Sequence, residues 1–242
     1  LNITAEAEGP NGSSVAIGNA TVSDAIGIST VSNNASSSFP IGETIVTWTV
    51  TDLYGNVGTT NQTVSVVDTI SPTITAPSNV IYEAVDPSTN TVAIGVAEVT
   101  DAVGIISVEN NAPPTFPVGD TIVTWTATDA AGNSASAAQT VSVVDTIAPK
   151  IIPNKTIIVE ATSEIQNIVE LQTPVVEDAV GVSSLSNNAP SLFPVGDTIV
   201  TWNATDAAGN FAIITQTVSV VDTTTPKLNP PPAQTVEATS AL

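Results

Sequence analysis

The chain has 242 residues, with 23 Asp and Glu against three Lys, no Arg, His, Cys or Met, and a formal net charge of −20. That composition excludes His/Cys zinc sites, the usual haem and iron–sulfur ligation, Ser-His-Asp and Cys-His nucleophiles, and disulfide stapling. So few cations also exclude a phosphate-tracking nucleic-acid binder or a polybasic membrane binder, and no Gly-rich phosphate loop occurs. No apolar run reaches the roughly 18–20 residues needed to cross a bilayer. Abundant Val, Ile and Thr argue against disorder.

Taken in chain order, the sequence repeats itself. Glu6, Glu83, Glu160 and Glu237 share one register, each followed by Ala. Phe39, Phe116 and Phe193 open FPIG, FPVG and FPVG; Trp48, Trp125 and Trp202 follow; Asp68, Asp145 and Asp222 each close VVDT. Every step is 77 residues without insertion or deletion. That length suits a small domain rather than a solenoid turn. The expected organisation is repeat 1 over 1–70, repeat 2 over 71–147, repeat 3 over 148–224, and the joint and first strand of a fourth over 225–242. Residues 232–242 match 1–11, so the sequence reads as a slice of a longer array, or as one that ends on a borrowed strand.

The second copy shows the elements most clearly. Strands are expected at 79–84, 92–99 and 103–108, followed by a loop over 109–115 with Asn-Asn and Pro-Pro. Residues 121–128 (TIVTWTAT) alternate, with Val123, Trp125 and Ala127 on one face and the threonines on the other. DAAGN at 129–133 is a hairpin turn, and 135–144 is the returning strand. No window has a 3.6-residue period. Short strands with evenly spaced turns predict an all-β fold of tandem immunoglobulin-like antiparallel β-sandwiches, each of about seven strands. Trp125 is the expected core anchor, and its buried N–H requires a partner. The joints, DTISP, DTIAP and DTTTP, are short, Pro-containing and β-branched, so the repeats are expected to stack end to end as a stiff rod.

These motifs carry a resemblance. D-T-x-x-P, V-E-A, T-D-A-V-G, F-P-V-G-x-T-I-V-T-W-T-A-T-D-A-A-G-N and T-V-S-V-V-D together resemble the hyalin repeat (HYR) domain across all three copies. The resemblance implies an immunoglobulin/fibronectin III-like module of extracellular, often adhesive proteins. Two features depart from it. Many family members carry a cysteine pair, whereas here Trp48, Trp125 or Trp202 follows I-V-T. The scarcity of cations beside so much Thr, Val, Ile and Asn resembles archaeal or bacterial surface proteins more than animal ones.

The carboxylates cluster by register at strand ends and joints. Asp68, Glu83, Asp101, Asp129, Asp145, Glu160, Asp178, Asp206 and Asp222 are candidate ligands of calcium between repeats, because Ca2+ collects six to eight oxygens from carboxylates and carbonyls. The competing reading is that each Asp starts a turn through Asx hydrogen bonds and keeps the surface soluble. A carboxylate pair acting as a glycosidase acid and base is disfavoured, since the positions recur in every small repeat without a deep cleft; the chain is read as a non-enzyme. Sequons stand at Asn2, Asn11, Asn19, Asn34, Asn61, Asn154 and Asn203. They are glycan acceptors or the chance product of an Asn- and Thr-rich chain. Lys150, Lys155 and Lys227 lie at or near joints, which argues against internal isopeptide crosslinks. The FPVG and Asn-Asn-Ala segments read either as end plugs and turns or as contact faces.

The expectation is a structural, extracellular protein whose repeats self-associate into a cell-surface filament, sheath or S-layer. Neither nucleic-acid binding nor membrane insertion of this segment is expected. The competing reading is the stalk of an adhesin whose binding tip lies elsewhere. An accessory module of an exported enzyme, and polymerisation by strand exchange, are weaker alternatives.

Overall fold

A computed structural model describes residues 1–237. The chain divides into two compact units, one from Leu1 to Val144 and one beginning at Asp145. Among the described residues every regular element is a strand.

The first unit holds two repeats. The first has β1 (Ile3–Glu6), β2 (Ile28–Asn33), β3 (Gly42–Asp52) and β4 (Val57–Val67) in one sheet ordered β1-β4-β3-β2. The second has β5 (Thr73–Thr75), β6 (Val80–Glu83), β7 (Glu98–Thr100), β8 (Ile105–Asn110), β9 (Gly119–Asp129) and β10 (Ser134–Val144). Its four-stranded sheet runs β6-β10-β9-β8, and β5 pairs with β7 in a separate two-stranded sheet. The second unit repeats that plan with β11 (Lys150–Ile152), β12 (Ile157–Glu160), β13 (Val175–Glu177), β14 (Val182–Asn187), β15 (Gly196–Asp206) and β16 (Phe211–Val221). The architecture is a tandem of immunoglobulin-like sandwiches of about 77 residues.

The alternation in β9 has the expected consequence. Val123, Trp125, Ala127 and, on β10, Val141 and Val143 are buried, while residues between them face outward. Burying a valine side chain stabilises the fold by about 1.5–3 kcal/mol. Phe39, Phe116 and Phe193 are buried, so the FPVG segment plugs the sandwich. The glycine that ends it, Gly119, has a φ of 110°, which a side chain rarely adopts. The Asn-Asn pairs are also structural: Asn110 Oδ1 accepts from Ala112 N at 3.0 Å, and Asn111 Oδ1 from Thr124 N at 2.7 Å.

Three expectations need correction. The sheets are not wholly antiparallel, because the first strand of each repeat runs parallel to the last: β1 with β4, β6 with β10, β12 with β16. The second repeat has six strands rather than about seven. Most of the strand expected at 92–99 is missing; only β7 forms. Gly95 there has a φ of 79°, and the carbonyl of Ile94 accepts the Gln139 side chain at 2.9 Å instead of a ladder N–H. The expected fourth-repeat strand has no ladder over 234–237, and the 242-residue sequence contains no strand to play the role of β4 for it. Its remainder, 238–242, lies outside the described residues.

The Trp125 N–H finds its partner in Gln139 Oε1 at 3.1 Å, and Gln139 Nε2 donates to the carbonyls of Ser78 and Ile94. Gln62 serves Trp48 in the same way, and Gln216 accepts from the Trp202 N–H and donates to the Lys155 carbonyl. One glutamine thereby stitches the core indole to two otherwise unladdered segments.

Candidate functional site

The acidic positions meet at one end of a repeat. Asp68 follows β4, Asp101 follows β7, and Asp129 ends β9. The sequence separates them by up to 61 residues, yet one carboxylate oxygen of each lies within 4.8 Å of those of the other two. In the second unit Asp145, Asp178 and Asp206 form the same group within the same distance.

Each side chain is placed by a turn. Asp101 Oδ1 accepts from Val103 N at 2.8 Å and Gly104 N at 2.9 Å. Asp129 Oδ1 accepts from Ala131 N at 2.9 Å and Asn133 N at 2.8 Å, and its Oδ2 accepts from Asn133 Nδ2 at 2.8 Å. The two loops are tied together, since Ala130 N donates to Gly104 O at 3.0 Å. Asn133 Nδ2 reaches on to the backbone carbonyl of Asp68 at 3.2 Å. The unit around Asp206 repeats the scheme. Asp178 Oδ1 accepts from Val180 N and Gly181 N, Asp206 Oδ1 from Gly209 N and Asn210 N, and Asn210 Nδ2 donates to the carbonyl of Asp145 at 3.1 Å. The Asx-turn reading therefore holds for these aspartates, and it accounts chiefly for one oxygen of each.

Burial separates the members. Asp129 is 0% exposed and Asp206 2%, while Asp101 and Asp178 are half-buried. Asp68 is half-buried as a residue, but its Oδ2 is buried and has no hydrogen-bond partner; Oδ1 accepts from Ile70 N at 3.2 Å. Burial raises the Asp68 carboxyl above its ordinary range, and the negative charges of Asp129, Asp101 and Glu6 push the same way against the Ile70 N–H. At Asp129 burial also acts upward, but the Asn133 side chain and the Asn133 and Ala131 N–H groups outweigh it and hold the carboxyl low. Residues 1–144 contain no Lys, Arg or His side chain.

Of the nine acidic candidates, six come together in the two groups. Three do not. Glu83 ends β6, outside the group. Glu160 instead holds the strand exit after β16: its oxygens accept from Thr223 N, Thr223 Oγ1 and Thr224 Oγ1 at 2.7–2.8 Å. Those bonds lower its pKa to about 2. Asp222 Oδ1 accepts from Thr224 N at 3.1 Å, and no group forms around it among the described residues. Among the sequon asparagines, Asn2, Asn11, Asn19, Asn34, Asn61 and Asn203 are exposed, and Asn154 is half-buried with its Nδ2 donating to the Gln172 carbonyl. Asn133 and Asn210, which cross-link the acidic loops, were not singled out by the sequence reading; their place four residues after a repeated Asp in DAAGN is the signal that marks them.

The HYR domain family matches residues 67–143 and 144–220, more than half of the chain. The chain is 37% identical over 210 residues to a protein named "Hyalin" from Lytechinus variegatus, covering 80% of this chain and 40% of that one. It is 38% identical over 205 residues to "Hyalin" from Strongylocentrotus purpuratus, with 78% and 17% covered. A Mus musculus protein, "Sushi, von Willebrand factor type A, EGF and pentraxin domain-containing protein 1", matches at 34% over 101 residues, 40% of this chain and 3% of that protein. These relatives are animal proteins and lend no support to the archaeal or bacterial source expected from composition. Among solved structures, the Sidekick-1 immunoglobulin domains 1–4 overlap at a TM-score of 0.36 with 15% identity, covering 74% of this chain and 58% of that one. The extracellular cadherin domains 1–5 of protocadherin gamma B2 overlap at 0.33 with 13% identity, covering 93% and 59%. Overlaps this low carry no argument about this chain.

Proposed function

The chain belongs to the HYR domain family, and on that premise we propose that it is an extracellular structural protein of the adhesion type whose repeats self-associate into a cell-surface filament, sheath or S-layer. The observation that carries this reading is a recurring exposed apolar position. Ile45, Ile122 and Ile199 share one register and are 60%, 67% and 57% exposed. On β6 and β12, Ile81 and Ile158 are exposed as well, and Ile81 lies beside Ser142 on the outer face that carries Ile122. A single exposed isoleucine needs no explanation. The same residue at the same place every 77 positions gives a second copy a contact it can make again at each repeat. The net charge of −20 opposes such packing and makes it depend on cations in the medium. The six exposed sequon asparagines extend the proposal to glycans on the outer surface.

The test is negative-stain electron microscopy of the purified protein at high concentration with calcium present. Ordered filaments or sheets are expected, and Ile122→Glu with Ile199→Glu should disperse them. Dispersed wild-type chains overturn the reading. A second reading, the stalk of an adhesin, is favoured by the mouse relative, in which the matched stretch is only 3% of the protein. A distinct non-repeat terminal domain in the full-length gene product, and ligand binding lost when it is removed, would support it.

A further inference from the structure

We propose that Asp68, Asp101 and Asp129 form a binding site for a calcium-sized divalent cation, repeated at Asp145, Asp178 and Asp206. The inference goes beyond assembly and stands or falls separately from it, because binding is read on dispersed chains.

The geometry fits the ion. Ca2+ takes oxygen ligands at about 2.3–2.6 Å, so two oxygens on opposite sides of it stand about 4.6–5.2 Å apart. In each group one oxygen from each of the three carboxylates lies within 4.8 Å of the other two, close enough to share one ion of that size. Mg2+ demands near-ideal octahedral geometry and usually keeps several of its waters, so a protein-built set of carboxylates and carbonyls suits the larger, more adaptable ion better. The oxygen-only donor set, in a chain without His or Cys, selects a hard cation over zinc or copper.

The turns explain part of the group but not all of it. Asp101 and Asp129 each spend Oδ1 on backbone N–H donors. Asp68 spends Oδ1 on Ile70, yet its Oδ2 is buried with no donor at all, in a side chain grouped with two further carboxylates. A buried carboxylate oxygen is normally hydrogen-bonded or charge-paired. No side chain of residues 1–144 can supply the charge. A bound cation answers all three features at once, and it would fasten the exit of β4 to the two loops of the following repeat. The same spacing of the three aspartates recurs in the second unit, whereas the first repeat has only Asp24 and Asp52 at the matching positions. The stoichiometry expected is therefore two ions per 242-residue chain and not three.

The test is isothermal titration of Ca2+ into the chelator-treated 242-residue chain at low protein concentration and physiological ionic strength. Two saturable sites are expected. Asp68→Asn should leave one, and Asp68→Asn with Asp145→Asn none; the asparagine oxygen can still accept the turn N–H, and circular dichroism should show the strands intact. Asp101→Asn with Asp178→Asn provides an independent pair with the same expectation. Glu109→Gln, which removes one exposed charge on β8, should leave two sites. Absence of saturable uptake by the wild type overturns the proposal. So does uptake that the double variants leave unchanged, which would mark diffuse attraction by an acidic surface. Tighter binding of Mg2+ than of Ca2+ overturns the assignment by size.

Discussion

Residues 20–24 (ATVSD) and 97–101 (AEVTD) occupy the same register of the first and second repeats, yet they are built differently. In the second repeat Glu98–Thr100 is strand β7, paired with β5, and Asp101 is half-buried. In the first repeat residues 21–23 carry no ladder, Val22 is 36% exposed and Asp24 is exposed. The contrast extends to the hairpin aspartate: Asp129 is fully buried and burial is the largest influence on its carboxyl, while Asp52 is half-buried and held low chiefly by the Asn56 side chain, with burial a smaller opposing influence. The local sequence is nearly the same, so the difference comes from what lies against it. In the second repeat the chain leaving β4 runs over this end as Asp68 and β5. The 242 residues contain no such segment for the first repeat. The acidic group thus depends on the segment that leads into the repeat and not on the repeat's own two loops alone.

The largest test of that contrast lies in the core. Trp125→Ala should destabilise the second repeat by about 3–5 kcal/mol, since it removes a buried indole and strands Gln139. Trp48→Ala should cost less, because Trp48 is only half-buried. Urea unfolding followed through the remaining tryptophans would read both, and equal losses would erase the contrast. Gln139→Leu is expected next, at about 1–3 kcal/mol, for the unsatisfied indole N–H and the freed carbonyls of Ser78 and Ile94. Ile74→Asn, in the middle of β5, should cost about 1–2 kcal/mol and speed amide exchange at Val99 toward the rate at Val22. If exchange at Val99 does not change, β5 is not what orders β7.

The smallest expected effect is a pH dependence in the second unit. The folded pKa of Glu160 is depressed to about 2 from an ordinary 4.5 by Thr223 and Thr224. Its contribution is therefore fully present above about pH 4.5 and lost as pH falls toward 2. Glu160→Gln should flatten thermal stability across that window, as read by circular dichroism, by lowering it modestly near pH 7 and leaving it nearly unchanged near pH 2. Asp68, with its carboxyl raised, acts in the opposite sense: its ionisation works against the fold as pH rises through its folded pKa. An Asp68→Asn chain without added cation should lose less stability between acid and neutral pH than the wild type.

Much of this was legible in the chain. The 77-residue register, the alternation through Trp125 and the plugging role of Phe116 follow from side-chain pattern alone, because a period-two face and a turn motif are local facts. So was the concentration of Asp at loop positions. What could not be read was which of nine carboxylates meet. Asp68, Asp101 and Asp129 converge because Ala130 N bonds to Gly104 O and Asn133 reaches the Asp68 carbonyl, and those bonds depend on three-dimensional approach. Glu160 shares its register with Glu6, and the oxygens of both serve threonine hydroxyls and amides at a strand exit. The overestimated strand at 92–99 has a similar cause: its apolar residues are real, but Gly95 turns the backbone and Gln139 takes the Ile94 carbonyl.

The parallel pairing of first and last strands has a mechanical consequence. β6 and β10 run the same way, and so do β12 and β16. Tension applied to the two ends of such a repeat pulls these strands past each other lengthwise, so all the hydrogen bonds between them share the load at once. An antiparallel hairpin pulled from its open end would instead yield one bond at a time. Each repeat is therefore built to resist stretching along the chain and to give way abruptly when it fails.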